Sequence, residues 1–233
     1  MKPPESARRL RALVFDLDGL LVDSEPIWHH VRSAYAMAHG VRWTDADRRT
    51  VLGGDSLLWL NLLRERMGGP RELAAIEAEV EQLVAEAYPE HLRPMPGAQA
   101  LLSRMSGRIP LALATGSRRR MALLALRLCG FEQMFDVVCC ADDVVRGKPA
   151  PDLYELALQR LGVAPRHAVG VEDSSNGVRA LSAAGLGVVA VPAAEGLEAP
   201  VQALVHAQLD HLGQIDLPRL EQVLARRDVG KQT

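Results

Sequence analysis

Aromatic residues make up only 4% of this 233-residue chain, which leaves little material for base-stacking platforms. An excess of either charge is also missing, since the formal net charge is −2. So near a balance argues against a nucleic-acid surface and against a membrane-binding face, and neither partner is expected. Cysteine is confined to Cys129, Cys139 and Cys140. These form no metal-ligand spacing and no even set for a disulfide framework, so a reducing, cytoplasmic setting is expected. No apolar run approaches the length of a membrane span. Lys2, Arg8, Arg9 and Arg11 precede a short apolar run, as in a signal peptide. That run leads straight into Asp16 without a small-residue cleavage pattern, so no signal peptide is expected. Repeats and low-complexity tracts are lacking, and residues 1–8 and 229–233 read as loose ends. Lysine occurs only at Lys2, Lys148 and Lys231.

What the chain has is apolar residues, 48% of the total, enough for one or two globular domains with a full core. The informative stretch is Val14-Phe15-Asp16-Leu17-Asp18-Gly19, continuing through Leu20, Leu21 and Val22 to Asp23-Ser24-Glu25. Leu10 to Phe15, broken only by Arg11, reads as a buried strand that ends in carboxylates. Side chains alternate along an extended backbone, which places Asp16 and Asp18 on one side and Leu17 on the other. Gly19 then allows a tight turn. Two acids at the end of a core strand repel each other unless a cation or proton lies between them. Loop aspartates capping the next helix are the plainer explanation, but apolar residues flank these on both sides. A divalent cation site fits better.

After this stretch the pattern is helical. Pro26 suits a first helical turn with Ser24 or Glu25 as the cap, and that helix ends at Gly40. Thr44 to Asp47 resembles a capping box, and Asp55 or Ser56 caps a third helix. From Arg71 to Tyr88 the positions Leu73, Ile76, Val80, Leu83 and Ala87 have amphipathic spacing, with the glutamates as the solvated face. Arg93-Pro94-Met95-Pro96-Gly97 punctuates the chain. Strands are then expected at 109–114, 137–140, 168–171, 187–191 and near 205–209. Helices are expected at 118–129, 150–161, 176–184 and from Pro218. Alternating strands and helices imply a parallel sheet with right-handed crossovers. One strand cannot bury its own faces, so the first strand is expected to join the later sheet, with the helical block as an insertion.

Three further strand ends carry chemistry-bearing residues. At Thr115-Gly116-Ser117, a hydroxyl and the following backbone N–H groups can hold a phosphate oxygen, and Ser117 also reads as a helix cap. In Arg146-Gly147-Lys148-Pro149-Ala150-Pro151, a lysine is set between rigid neighbours, unlike an ordinary surface lysine. Arg118, Arg119, Arg120 and Arg146 read as solvated charges. At Val171-Glu172-Asp173-Ser174-Ser175-Asn176-Gly177 another strand ends in acids, with Ser174 or Ser175 as a cap.

Together these stretches, in this order, resemble the four motifs of the haloacid dehalogenase superfamily: D-x-D-G-x-x-x-D-[ST], the hydroxyl after the second strand, G-K-P-x-P, and the terminal acids. The resemblance covers the core and implies an α/β fold. That fold is a Rossmann-like parallel-sheet core of residues 9–23 and 93–228, with an inserted all-helical cap of residues 24–92. It implies Asp16 as nucleophile, Asp18 as acid and base, and Lys148 as a fixed cation that pairs with Asp16. Thr115, Gly116, Ser117 and Lys148 would bind the phosphoryl group. Asp16, Asp18, Asp173 and Glu172 would form the metal site, with Asp173 the preferred ligand and Glu172 binding directly or through water. Mg²⁺ suits such an all-oxygen set. Asp23 is expected to hold the loop by hydrogen bonds.

The expected activity is Mg²⁺-dependent hydrolysis of small phosphomonoesters by a monomer, with sugar or polyol phosphates as substrates. Candidate cap contacts are Trp28, Arg49, Gly53, Gly54 and Asp55, although Trp28 reads more readily as core; His29 and His30 read as surface or satisfied polar residues. A β-phosphoglucomutase-like mutase is the near alternative. Such mutases usually carry a histidine where Trp28 stands here. Phosphonatase-like chemistry would want a cap lysine, and a dehalogenase would lack Asp18. An idle binding module would have lost an acid or the lysine.

Overall fold

The strands are short and apolar on both sides, as strands sandwiched between helices must be. The computed structural model describes residues 10–54, 56–68, 71–192 and 196–229, apart from the side chains of 228 and 229. Asp55 and the ends at 1–8 and 230–233 lie outside these. Among the described residues the sheet has six strands, all parallel: β1 (Ala12–Phe15), β2 (Leu111–Ala114), β3 (Val137–Cys139), β4 (Ala168–Glu172), β5 (Gly187–Ala190) and β6 (Ala207–Gln208). Their order is β3-β2-β1-β4-β5-β6, so β1 does join the later sheet, at its middle. Leu13 lies in register with Leu111 on one side and Val169 on the other.

Alternation along β1 divides the core. Leu13 and Phe15 pack with Leu111, Leu113, Val169 and Val171 on one face, while Ala12 and Val14 pack with Ala112 and Ala114 on the other. Helix α6 (Arg119–Leu128) and helix α10 (Leu217–Val229) cover the first face through residues such as Met121, Leu126, Leu220 and Val223. Helix α7 (Asp152–Leu161) and helix α8 (Ser175–Ala183) cover the second. Gly170 on β4 has no Cβ because Leu181 of α8 fills that space.

Between β1 and β2 run α1 (Glu25–Ala38), α2 (Asp45–Val51), α3 (Ser56–Met67) and α4 (Leu73–His91), followed by α5 (Ala98–Met105). The capping box at Thr44 forms as expected, with the Thr44 hydroxyl and Asp47 carboxylate bonding reciprocally. Two readings of α4 change. Its buried stripe is Ile76, Val80, Val84 and Tyr88, with Leu83 left 42% exposed. Its glutamates are not all solvated, because Glu81 is buried and Glu77 and Glu79 take arginine partners. Two helices were not expected: α5, which follows Gly97 at φ +87°, and the short α9 (Ala199–Gln202). The last helix includes Val229, which the loose-end reading had left out. No helix among the described residues is long and apolar enough to cross a membrane.

Candidate active site

The sheet order reverses at β1, and in open parallel sheets ligands sit at the carboxyl ends of the strands flanking such a reversal. The motif residues collect there. Asp16 and Asp18 follow β1, Thr115 to Ser117 follow β2, Glu172 and Asp173 end β4, and Lys148 comes from the loop before α7. Leu17 is fully buried in the core cluster that holds Leu13 and Phe15.

Lys148 is the hub. Its ammonium, 3% exposed, donates to Asp16 Oδ1 and to Glu172 Oε1 (2.5 Å) and lies 5.0 Å from the centre of the Tyr154 ring. Burial opposes the charge, but the two carboxylates outweigh it and hold the lysine above its ordinary pKa. Glu172 is fully engaged. It also accepts from the Tyr154 hydroxyl (2.6 Å), the amides of Asp173 (3.0 Å) and Ser174 (3.2 Å), and the Ser174 hydroxyl (3.1 Å). Burial opposes its charge too, yet Lys148 and these donors keep it below the usual carboxylate range.

At Asp16 and Asp173 the compensation is incomplete. Burial first, then neighbouring acids, push Asp16 up to about 8 against the pull of Lys148. Burial and the charges of Glu172 and Asp16 raise Asp173 as well. Asp173 Oδ1 is buried with no hydrogen-bond partner. Oxygens of Asp16, Glu172 and Asp173 lie within 4.8 Å of one another. Three buried carboxylates against one ammonium leave a negative excess that a divalent cation would balance, and the orphaned Asp173 oxygen is where it would bind. Gly19 (φ +81°) keeps this approach open, because a Cβ there would collide with the Asp173 carboxylate.

The Asp18 carboxylate lies apart from that cluster. It accepts from Ser24 Oγ (2.6 Å), Ser117 Oγ (2.7 Å) and Thr115 Oγ1 (3.2 Å). Ser24 therefore precedes α1 without capping it, since its hydroxyl is spent on Asp18. Asp23 holds the loop through its backbone N–H, which donates to the Arg93 carbonyl (2.9 Å), while its exposed side chain makes no hydrogen bond among the described residues and the Ser24 hydroxyl supplies the side-chain tie.

A cavity of about 40 Å³ separates these groups from the helical insertion. Asp16, Asp18, Gly116 and Ser117 form its floor, and Trp28, Gly53, Gly54 and Trp59 line the wall. Trp28 is both core and wall, being 6% exposed with its indole N–H donating to Tyr88 Oη (2.9 Å). Arg49 is exposed and borders a different hollow, beside Asp173, Ser174 and Asn176. His29, half-buried beside Asp45, and the exposed His30 do not reach this cavity. Gly53 (φ +65°) is a close-approach point, because a Cβ would strike the Ser174 side chain; Asn176 Nδ2 donates to the Leu52 carbonyl (3.1 Å) beside it.

Sequence reasoning missed Glu25, Arg32, Trp59 and Arg118, which also line the cavity, and Tyr154 behind Lys148. Arg118 is no free surface charge. Its guanidinium makes two bonds to Glu77 of α4 (2.7 and 2.8 Å), tying the loop after β2 to the insertion. Its place directly after Ser117 was the available signal.

Comparison with known proteins shows the family. Residues 10–185 match the haloacid dehalogenase-like hydrolase family. The chain is 35% identical over 178 residues to a phosphorylated carbohydrates phosphatase of Thermotoga maritima, covering 76% of this chain and 82% of that protein. It is 37% identical over 188 residues to hexitol phosphatase A of Escherichia coli, covering 79% and 84%. The crystal structure of CbbY from Rhodobacter sphaeroides in complex with phosphate superposes with a TM-score of 0.77 at 28% identity, over 88% of this chain and 96% of that one. The chain belongs to the haloacid dehalogenase-like hydrolases.

Proposed function

We propose that this protein is a Mg²⁺-dependent phosphatase of small phosphomonoesters, with sugar or polyol phosphates as substrates. The observation that carries the reading is the buried Lys148 bridging Asp16 and Glu172 beside the unpartnered Asp173 oxygen. Phosphatase relatives acting on phosphorylated carbohydrates and hexitols support the substrate class.

Asp16 attacks phosphorus, and the bond to the leaving oxygen breaks as an aspartyl-phosphate forms. Asp18 gives its proton to that oxygen, releasing an alcohol. Water then attacks the aspartyl-phosphate, Asp18 takes the proton back, and inorganic phosphate leaves with Asp16 restored. The three hydroxyls around Asp18 aim its carboxyl group. Lys148 neutralises Asp16 and, with Thr115 and the backbone at Gly116 and Ser117, offsets charge on the phosphoryl oxygens. Asp16 and Asp173 would hold Mg²⁺, supported by Glu172, and the ion would supply positive charge that offsets the charge of the phosphoryl oxygens. Residues 24–92 act as a cap over a core of 9–23 and 93–228, excluding bulk water from the cavity.

The test is phosphate release from a panel of sugar, polyol and nucleoside monophosphates, with and without Mg²⁺, for the native protein and Asp16→Asn. Mg²⁺-dependent release lost in the variant is expected. Interconversion of β-glucose 1-phosphate and glucose 6-phosphate without release would replace hydrolysis by a mutase.

A further inference from the structure

We propose that Arg32 selects the leaving group of this reaction, and that the group it selects is a neutral, hydroxyl-bearing chain rather than one carrying a second anion. The inference rests on the phosphatase reading and deepens it.

Arg32 lies on α1 and is only 7% exposed, in the wall of the cavity whose floor holds Asp16 and Asp18. Its guanidinium lies over two indoles, 4.8 Å from the Trp28 ring and 5.0 Å from the Trp59 ring, which pack on each other with their centres 6.2 Å apart. Among the described residues it donates no hydrogen bond, and its Nε is buried without a partner. Other cations of this site are hydrogen-bonded to acids, Lys148 to two carboxylates and Arg118 to Glu77, whereas Glu25 and Asp18 act on Arg32 only through their charge. A desolvated guanidinium with unused donors is costly, and ring contacts recover only part of that cost. An aliphatic side chain would cover the paired indoles without it. The planar fork is useful only if its donors meet oxygen atoms brought in from outside.

The other walls indicate which oxygens. Asp18 and Glu25 line the same space. A second phosphate or carboxylate reaching Arg32 would also face these acids. A hydroxyl suits both sides, accepting from the guanidinium while giving its own hydrogen to a carboxylate. The indole faces of Trp28 and Trp59 meet the C–H surfaces between successive hydroxyls, which is how a polyol chain presents itself.

The experiment measures kcat/KM for a hexitol phosphate, for phenyl phosphate, whose leaving group has no further hydroxyl, and for fructose 1,6-bisphosphate. The native protein, Arg32→Gln and Arg32→Met are compared, the last keeping an unbranched apolar stem over the indoles; Tm is measured for each. The native protein should prefer the hexitol phosphate to the bisphosphate. Both variants should lower the hexitol-to-phenyl ratio by about 10- to 100-fold, the scale of losing hydrogen bonds from a charged donor. That loss should lie mainly in KM. Equal losses on all three substrates with a reduced Tm would make Arg32 a packing residue and overturn the proposal. A native preference for the bisphosphate that vanishes in Arg32→Gln would overturn it in favour of a second anion. No release from any substrate by the native protein, phenyl phosphate included, would remove the phosphatase reading and this inference together.

Discussion

At the scale of single residues, the site separates two carboxylates of one motif by what surrounds them. Asp16 sits among acids and one ammonium in a dry pocket, whereas Asp18 sits among three hydroxyls. Removing one of those hydroxyls should disturb proton transfer more than binding. Ser24→Ala is expected to lower kcat about tenfold with little change in KM, as loss of one hydrogen bond to a charged group implies. Steady-state kinetics on the best substrate would check this. An unchanged kcat would show that Thr115 and Ser117 suffice to aim Asp18. Lys148→Met is more severe, because it leaves Asp16 and Glu172 buried without their cation. It should abolish turnover and cost about 3–5 kcal/mol of stability, read from urea denaturation.

At the scale of elements, α4 joins the helical insertion to the sheet through charges that its spacing had placed in water. Glu81 on that helix is pushed up to about 7 from its ordinary 4.5, by burial first and by Glu77 second, against Arg118 and Arg120. A carboxyl raised on folding holds more protons folded than unfolded between those two values. Its contribution is therefore most favourable below about pH 4.5 and is lost as pH rises through 7. Glu81→Gln should stabilise the protein by about 1–3 kcal/mol at pH 8 and by little at pH 4.5. Melting curves across that range would show it, and a parallel pH dependence in the variant would contradict it. On the other side of the cavity, the loop between α2 and α3 meets the loop after β4 at Gly53. Gly53→Ala combines a left-handed backbone with a collision against Ser174. It should weaken the contact between these two loops and raise KM several-fold, while phosphate release from saturated enzyme falls less.

At the scale of the whole molecule, one topological feature gathers the chemistry: β1 lies between β2 and β4, so motifs from opposite ends of the chain meet at its carboxyl end. The resulting pocket carries an excess of negative charge, which opposes folding until a cation is present. Mg²⁺ at about 100 times its Kd should therefore add roughly 2.7 kcal/mol and raise Tm by several degrees. Asp173→Asn removes both the repulsion and the proposed ligand. It should melt higher than the native protein in a chelator and respond little to Mg²⁺. An undiminished Mg²⁺ response would place the cation elsewhere.

Much of the site was legible because its signals are local. An apolar strand that ends in acids, a lysine between glycine and proline, and a hydroxyl before a helix are each complete within ten residues of sequence. Their order, together with the need of an isolated strand for neighbours, was enough for a parallel sheet with a helical insertion. Short α5 escaped notice because its stripe, Ala98, Leu101, Leu102 and Met105, spans only eight residues. Periodicity gives a helix its apolar stripe only to within a residue, and so the spacing predicts Leu83 where Val84 is the buried residue. The remaining features depend on partners far away in the chain. Glu77 meets Arg118, Tyr154 meets Glu172, Leu52 meets Asn176, and Arg32 rests over the paired Trp28 and Trp59 rings. By itself the sequence determined which groups stand at the strand ends, since strand periodicity and turn chemistry act over short range. Only the tertiary structure decided which of those groups are matched and which are left with unused donors or acceptors, since burial and charge pairing are properties of the packed molecule.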